Sequence, residues 1–391
     1  MTGKITFYDT TMRDGEQTIG VNFSIEEKIE IAKRLDDYGV SAIEAGFPAA
    51  SEKDFEEVKK IALVVNKAKV VGLARMVRSD ITAVIEATKN AKKPMIHVFI
   101  ATSPIHREFK LHMTKEEILD KIKADITFTK QHIQDIVFSP EDATRTEPDF
   151  LVASVQTAID AGATMINIPD TVGYDTPEEY GEVFENLQQN IIGFNQVGWS
   201  THTHNDLGMA TANALAGIVH GATEIQGTIN GIGERAGNVD MIEAAAAILV
   251  RHEKFNVETD IVLSQSKVIS DIVAHATRMP VAGNKPIMGR NAFAHESGIH
   301  QDGYLKNPET YEILKPEMVG VTASLPLGKL SGSHAVMSKL HHLGYEVTRD
   351  DMKAIFPIFK SVAAESDLIT DNQLKIIMQG VEEKEMVSHQ S

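Results

Sequence analysis

A chain of 391 residues, 42% hydrophobic and 24% charged, can bury roughly three-quarters of its unfolded surface, which excludes fibrous and wholly disordered classes. Its formal net charge of −17 opposes broad contact with nucleic acid or an anionic membrane, and no apolar run approaches the roughly 20 residues needed to span a bilayer. With no cysteine, disulfides, thiolate metal sites and cysteine nucleophiles are excluded; Asp9, Arg13, Asp14 and Glu16 rule out a signal peptide, so a cytoplasmic location is expected.

In chain order, short β-type runs are predicted at Ile5 to Asp9, Ala42 to Gly46, Lys69 to Ala74, Met95 to Thr102, Asp135 to Ser139, Met165 to Pro169, Gly198 to Thr203 and Glu224 to Ile229, with amphipathic segments between them. Eight strand–helix units favour a closed barrel over an open sheet. Ser24/Glu27, Thr114/Glu117 and Thr176/Glu179 carry the spacing of capping boxes, and Gly39 and Gly162 stand where helices should stop. The expected fold is therefore α/β: a TIM (β/α)8 barrel over 1–275, then a linker arm over 276–320, a small mainly helical subdomain over 321–380 and a frayed tail over 381–391.

In such a barrel, chemistry sits at the C-terminal ends of the strands, and reactive residues collect there. The first strand runs into Asp9-Thr-Thr-Met-Arg-Asp-Gly-Glu-Gln17; later ones end at Glu44, Ser139-Pro-Glu-Asp142, Asp170-Thr171, His202-Thr-His204 and Asn230-Gly-Ile-Gly-Glu-Arg-Ala-Gly-Asn238, with His97 just inside the fourth. His202 and His204, two apart on a strand, point to one face and can share an ion. Asp14 and Asn238 would add oxygens and leave coordination positions open on Mn²⁺, Mg²⁺ or Zn²⁺. The glycines of the last motif follow the eighth strand, where a dinucleotide fingerprint does not belong; they read either as a tight loop that aims Asn238 and starts the helix Val239 to Arg251, whose amides would face an anion, or simply as turn geometry.

These motifs, with Lys28, Thr201-His-Thr-His-Asn-Asp-Leu-Gly208, Ile168-Pro-Asp-Thr-Val-Gly-Tyr174 and Phe293-Ala-His-Glu-Ser-Gly-Ile-His-Gln-Asp-Gly303, resemble the alpha-isopropylmalate/homocitrate synthase family of metal-dependent TIM-barrel acyl synthases and lyases. Met12 replaces the family's usual Leu, a volume-conserving change. The resemblance implies a divalent metal held by Asp14, His202, His204 and Asn238. It also implies Arg13 on the keto oxygen, Thr171 on the substrate carboxylate, proton handling by Glu141, His300 and Tyr311, and a keto-acid pocket with Glu44, His97 and Ser139. The implied reaction joins acetyl-CoA to 3-methyl-2-oxobutanoate and hydrolyses the thioester, the committed step toward leucine, in a homodimer with shared active sites. The resemblance further implies that the leucine-binding domain of longer members is absent.

Three other readings compete. Homocitrate synthesis shares the metal set but needs a cation for the second carboxylate of 2-oxoglutarate. Acyl-CoA lyases usually rely on a loop cysteine, and a catalytically silent metabolite- or metal-binding barrel would not need the complete set of acid, base and metal positions.

Overall fold

The computed structural model describes residues 3–322, 326–366 and 368–388, with side chains described up to Val381. Two compact units are present, Met1–Val281 and Ala282–Ser391.

The first unit is a closed barrel of eight strands, β1 (Thr6–Asp9), β2 (Ala42–Gly46), β3 (Lys69–Arg75), β4 (Pro94–Ala101), β5 (Asp135–Glu141), β6 (Met165–Asp170), β7 (Gly198–Thr203) and β8 (Glu224–Gly227). Every neighbouring pair is parallel, and β8 closes onto β1 through Thr6↔Glu224 to Asp9↔Gly227. The sequence-predicted strands match these within two residues at each end. The three capping boxes form as predicted, each hydroxyl accepting from the N3 amide while the N3 carboxylate accepts from the cap amide. Gly39 ends the first long helix in the left-handed region at φ +98, where a Cβ would run into the Asp260 carbonyl.

The barrel interior changes character along the strands. Tyr8, Ala42, Val71, Met95 and Val137 form a buried cluster with Met165 against it. Two residues on, on the same face of each strand, stand Glu44, Leu73, His97, Ser139 and Asn167. The apolar layer is a floor that excludes water, and the largely polar layer above it opens toward the C-terminal mouth. A register shift between Glu44 and Gly46 against β3 adds one residue to β2 beside Glu44, the type of bulge that re-aims a side chain.

In the second unit the helices Ser333–His342, Met352–Ala364 and Asp371–Ser388 pack around Val336, Leu340, Ile355, Phe359, Ala363 and Leu374. Helix Gly298–Lys306 carries His300, and Tyr311 follows a short 3-10 turn. The last helix runs through residues 381–388, within the segment expected to fray; its Glu- and Lys-rich sequence has high helix propensity, and 389–391 lie outside the described residues. Among the described residues no helix is long and apolar enough to cross a membrane.

Candidate active site

The turn after β1 delivers Arg13 and Asp14 into the barrel mouth, where β7 presents His202 and the loop after it His204. One ligand atom from each of Asp14, His202 and His204 lies within 4.8 Å of the others. The His202 and His204 Nε2 atoms are 3.2 Å apart, and His202 Nε2 is 3.6 Å from Asp14 Oδ2. Two adjacent ligands of a six-coordinate ion are separated by about 3 Å, so the spacing suits a shared cation. Asn238 joins them through a bridge between its backbone and that of His204. Its Nδ2 donates to Asp14 Oδ1 at 3.0 Å and to the Ile232 carbonyl at 3.1 Å, while its buried Oδ1 has no partner in the protein. Two imidazoles and a carboxylate within reach of one another, with a bare amide oxygen on Asn238, whose nitrogen is bonded to Asp14, are donors suited to a divalent metal, so the residues fit the group. Gly233, at φ +152, makes this approach possible, because a Cβ there would collide with Asn238 Nδ2.

Charge holds the set ready. Burial opposes ionisation of Asp14, but Arg13, the two imidazoles and the Asn238 amide outweigh it and keep the carboxyl well below its ordinary range. Burial pushes His202 down to about 3 and lowers His204, so both are neutral imidazoles with lone pairs to offer.

Arg13 donates through Nε to Glu44 at 2.5 Å and through a terminal nitrogen to Asp14 at 2.7 Å. Glu44, fully buried, also accepts from the Tyr8 hydroxyl at 2.9 Å and from His97 Nδ1 at 2.7 Å. Expected to line the keto-acid pocket, Glu44 instead lies behind Arg13 and His97, because the inward step from Ala42 puts it against the Tyr8 hydroxyl. His97 and Ser139 do line the cavity, of about 330 Å³, together with Leu73, Phe99, Asn167, Pro169, Thr171 and Gln226. Thr171 Oγ1 accepts from the Asp142 amide at 3.0 Å, leaving its own hydrogen free to donate. Glu141 pairs with Lys110 at 2.7 Å, while Arg145 binds Asp142. Lys110 reaches it from a π-helical turn, Arg107–Leu111.

The helix after the Gly-rich loop does not offer its amides to an anion: Asp240 caps it, accepting from Ile242 at 2.9 Å. In the second unit, the His300 and Tyr311 rings stack with centroids 4.3 Å apart, and His295 approaches both. Sequence reasoning missed Asn167, Gln226, Leu73 and Phe99. Each is legible as an inward residue two positions beyond a neighbour already inside the barrel.

The HMGL-like family model matches residues 4–273, and the homocitrate synthase post-HMGL domain-like model matches 287–367. The 2-isopropylmalate synthase of Staphylococcus saprophyticus is 53% identical over 98% of this chain and 76% of its own length. That of Streptococcus gallolyticus is 53% identical over 97% of this chain and 73% of its own. Among solved structures, the HMG-CoA lyase of Bacillus subtilis superposes with a TM-score of 0.61 at 19% identity, covering 74% of this chain and 97% of the lyase, a likeness of fold. With a metal-type donor set at the mouth of an HMGL-like barrel and half its residues identical to these relatives over nearly its full length, the chain belongs to the 2-isopropylmalate synthase family of acyltransferase-type enzymes.

Proposed function

We propose that the chain condenses acetyl-CoA with 3-methyl-2-oxobutanoate and hydrolyses the thioester, giving 2-isopropylmalate and free CoA in leucine biosynthesis in the cytoplasm. The observation that carries this reading is the meeting of Arg13, Asp14, His202, His204 and Asn238 beside a pocket whose cations already have partners. Arg13 is bound by Glu44 and Asp14, Lys110 by Glu141, and Arg235 by Asp206. Among the described lining residues, no cation remains to receive the second carboxylate of 2-oxoglutarate, whereas Leu73, Phe99 and Pro169 offer apolar surface to an isopropyl group. This favours the branched substrate over homocitrate synthesis.

Asp14, His202, His204 and Asn238 would hold a divalent ion, with Mn²⁺ or Mg²⁺ suiting the nitrogen and oxygen donors and Zn²⁺ an alternative; when bound, it supplies Lewis acidity toward the 2-oxo acid. Arg13 donates hydrogen bonds to the ketone oxygen as its negative charge grows during carbon–carbon bond formation. The free hydrogen of Thr171 is available to the substrate carboxylate. The acetyl methyl is a weak acid, so its proton must go to a positioned base, a role assigned to Glu141 with His300 and Tyr311. We also propose a homodimer in which each site combines the barrel of one copy with His300 and Tyr311 of the other. Ile19, Phe109, Tyr174 and Leu207, which follow different strand ends, are all exposed and give the barrel mouth an apolar rim suited to being covered.

The test is free-thiol release on mixing the protein with acetyl-CoA and a panel of 2-oxo acids. The reading requires release with 3-methyl-2-oxobutanoate; release with 2-oxoglutarate alone favours homocitrate synthesis, and none with any acid favours a silent binding barrel.

A further inference from the structure

A chain of buried polar groups crosses the barrel from Glu44 to His202, and the chemistry of each member fixes its polarity. Glu44, salt-bridged to Arg13, can only accept, so the His97 nitrogen facing it, Nδ1 at 2.7 Å, donates. With the ring hydrogen placed on Nδ1, Nε2 offers its lone pair to the hydroxyl hydrogen of Ser139 at 2.6 Å. With that hydrogen committed, Ser139 Oγ can only accept from Asn167 Nδ2, 2.8 Å away. The second hydrogen of Nδ2 turns to Gln226 Oε1 at 3.4 Å, so it is the oxygen of Gln226 that occupies this place. The same oxygen lies 2.5 Å from His202 Nδ1, which must therefore carry the imidazole hydrogen. Nε2 of His202 is left as a bare lone pair facing His204 Nε2 and Asp14.

Nothing else holds the two amides in this sense. Asn167 Oδ1 and Gln226 Nε2 are buried without partners in the protein, so neither orientation is secured from its other end. Rotating Gln226 would set its NH₂ against that of Asn167 and move the imidazole hydrogen to Nε2, onto the atom that faces Asp14 and His204.

We infer that Gln226 and Asn167 are positioning residues which, through Ser139 and His97, let Glu44 on β2 lock His202 on β7 in the tautomer that presents a bare Nε2 to a divalent cation. The inference rests on the metal reading above and deepens it: readiness of the cation site is set by a relay of neutral groups beside the pocket, not by the ligands alone.

The metal-free protein labelled with ¹⁵N-histidine tests it by long-range ¹H–¹⁵N NMR, with the His202 signals assigned by their loss in His202→Gln. The wild type should show a protonated Nδ1 and a bare Nε2. Gln226→Met, which keeps the bulk and removes the acceptor, should shift the population toward Nε2–H, and Ser139→Ala should shift it the same way to a smaller extent. Gln226→Glu keeps an acceptor and should retain the wild-type tautomer. In Mn²⁺ calorimetry, Gln226→Met should bind about 10–100-fold more weakly and Gln226→Glu no more weakly than wild type. An unchanged His202 tautomer in both Gln226→Met and Ser139→Ala overturns the inference whether or not metal binds. Failure of the wild type to bind Mn²⁺, Mg²⁺ or Zn²⁺ overturns the metal reading instead, and leaves the NMR result to decide the tautomer.

Discussion

Arg13 and Glu44 lock together through Nε and Oε2 at 2.5 Å, on the opposite edge of the guanidinium from the one that meets Asp14. Arg13 is thus gripped by a carboxylate buried in the barrel wall. Glu44→Ala would leave Arg13 half-paired and strip His97 of its acceptor, which should cost about 3–5 kcal/mol by urea unfolding and lower kcat/KM as well. A loss below about 1 kcal/mol would contradict the arrangement. The sign with pH follows from Glu44 itself: burial opposes its charge, but Arg13 and His97 prevail and hold it down to about 2. Its contribution is complete above the ordinary carboxylate range near 4.5 and is lost as pH falls toward 2.

Removal of metal should abolish turnover, and Mn²⁺ or Mg²⁺ should restore it. Because Asn238 Oδ1 is the bare acceptor of the set, Asn238→Ala should raise the Mn²⁺ concentration needed for half-maximal activity about 10–100-fold. Full activity after exhaustive chelation would remove the ion from the account.

Asp175 predicts the opposite pH behaviour from Glu44. Burial, then Asp170, Glu179 and Asp142, raise its carboxyl to about 7. Folding therefore favours the protonated form, and this group draws stability down as pH rises from near 4 to 7, leaving a constant penalty above. Asp175→Asn, which stays neutral, should raise Tm at pH 8 by several degrees and change it little at pH 4. Equal shifts at both pH values would show that Asp175 is not held protonated.

Shared active sites predict rescue between two inactive variants. Asp14→Asn damages the barrel and His300→Ala the second unit, so a mixed dimer would hold one site with both parts intact. With random pairing after subunit exchange, roughly a quarter of wild-type activity should return. No recovery despite proven exchange would place His300 with its own barrel or outside the reaction.

The barrel was legible because parallel strands buried on both faces stand out as short apolar runs, and their ends gather reactive residues by the architecture's own rule. Asp14, His202 and His204 came through as a cluster for that reason. Glu44 was visible as a residue but not in its place, since whether an inward carboxylate faces the cavity or a neighbour depends on the Tyr8 hydroxyl and the Arg13 side chain reaching it first. Lys110 and Glu141 lie 31 positions apart, and their pairing depends on a π-helical turn with no sequence signature. Asn167 and Gln226 read as ordinary strand residues until the closed barrel sets them between Ser139 and His202.

The most direct test follows the carbon–carbon bond itself. Acetyl-CoA labelled with ¹³C at the acetyl methyl is incubated with 3-methyl-2-oxobutanoate, Mn²⁺ and the protein, while ¹³C NMR and thiol release are read together. The account predicts that the label enters the methylene of 2-isopropylmalate with one CoA freed per product, and that Arg13→Ala or metal removal abolishes both signals. CoA release with the label recovered as acetate, or a labelled methylene appearing with 2-oxoglutarate and not with 3-methyl-2-oxobutanoate, would contradict it.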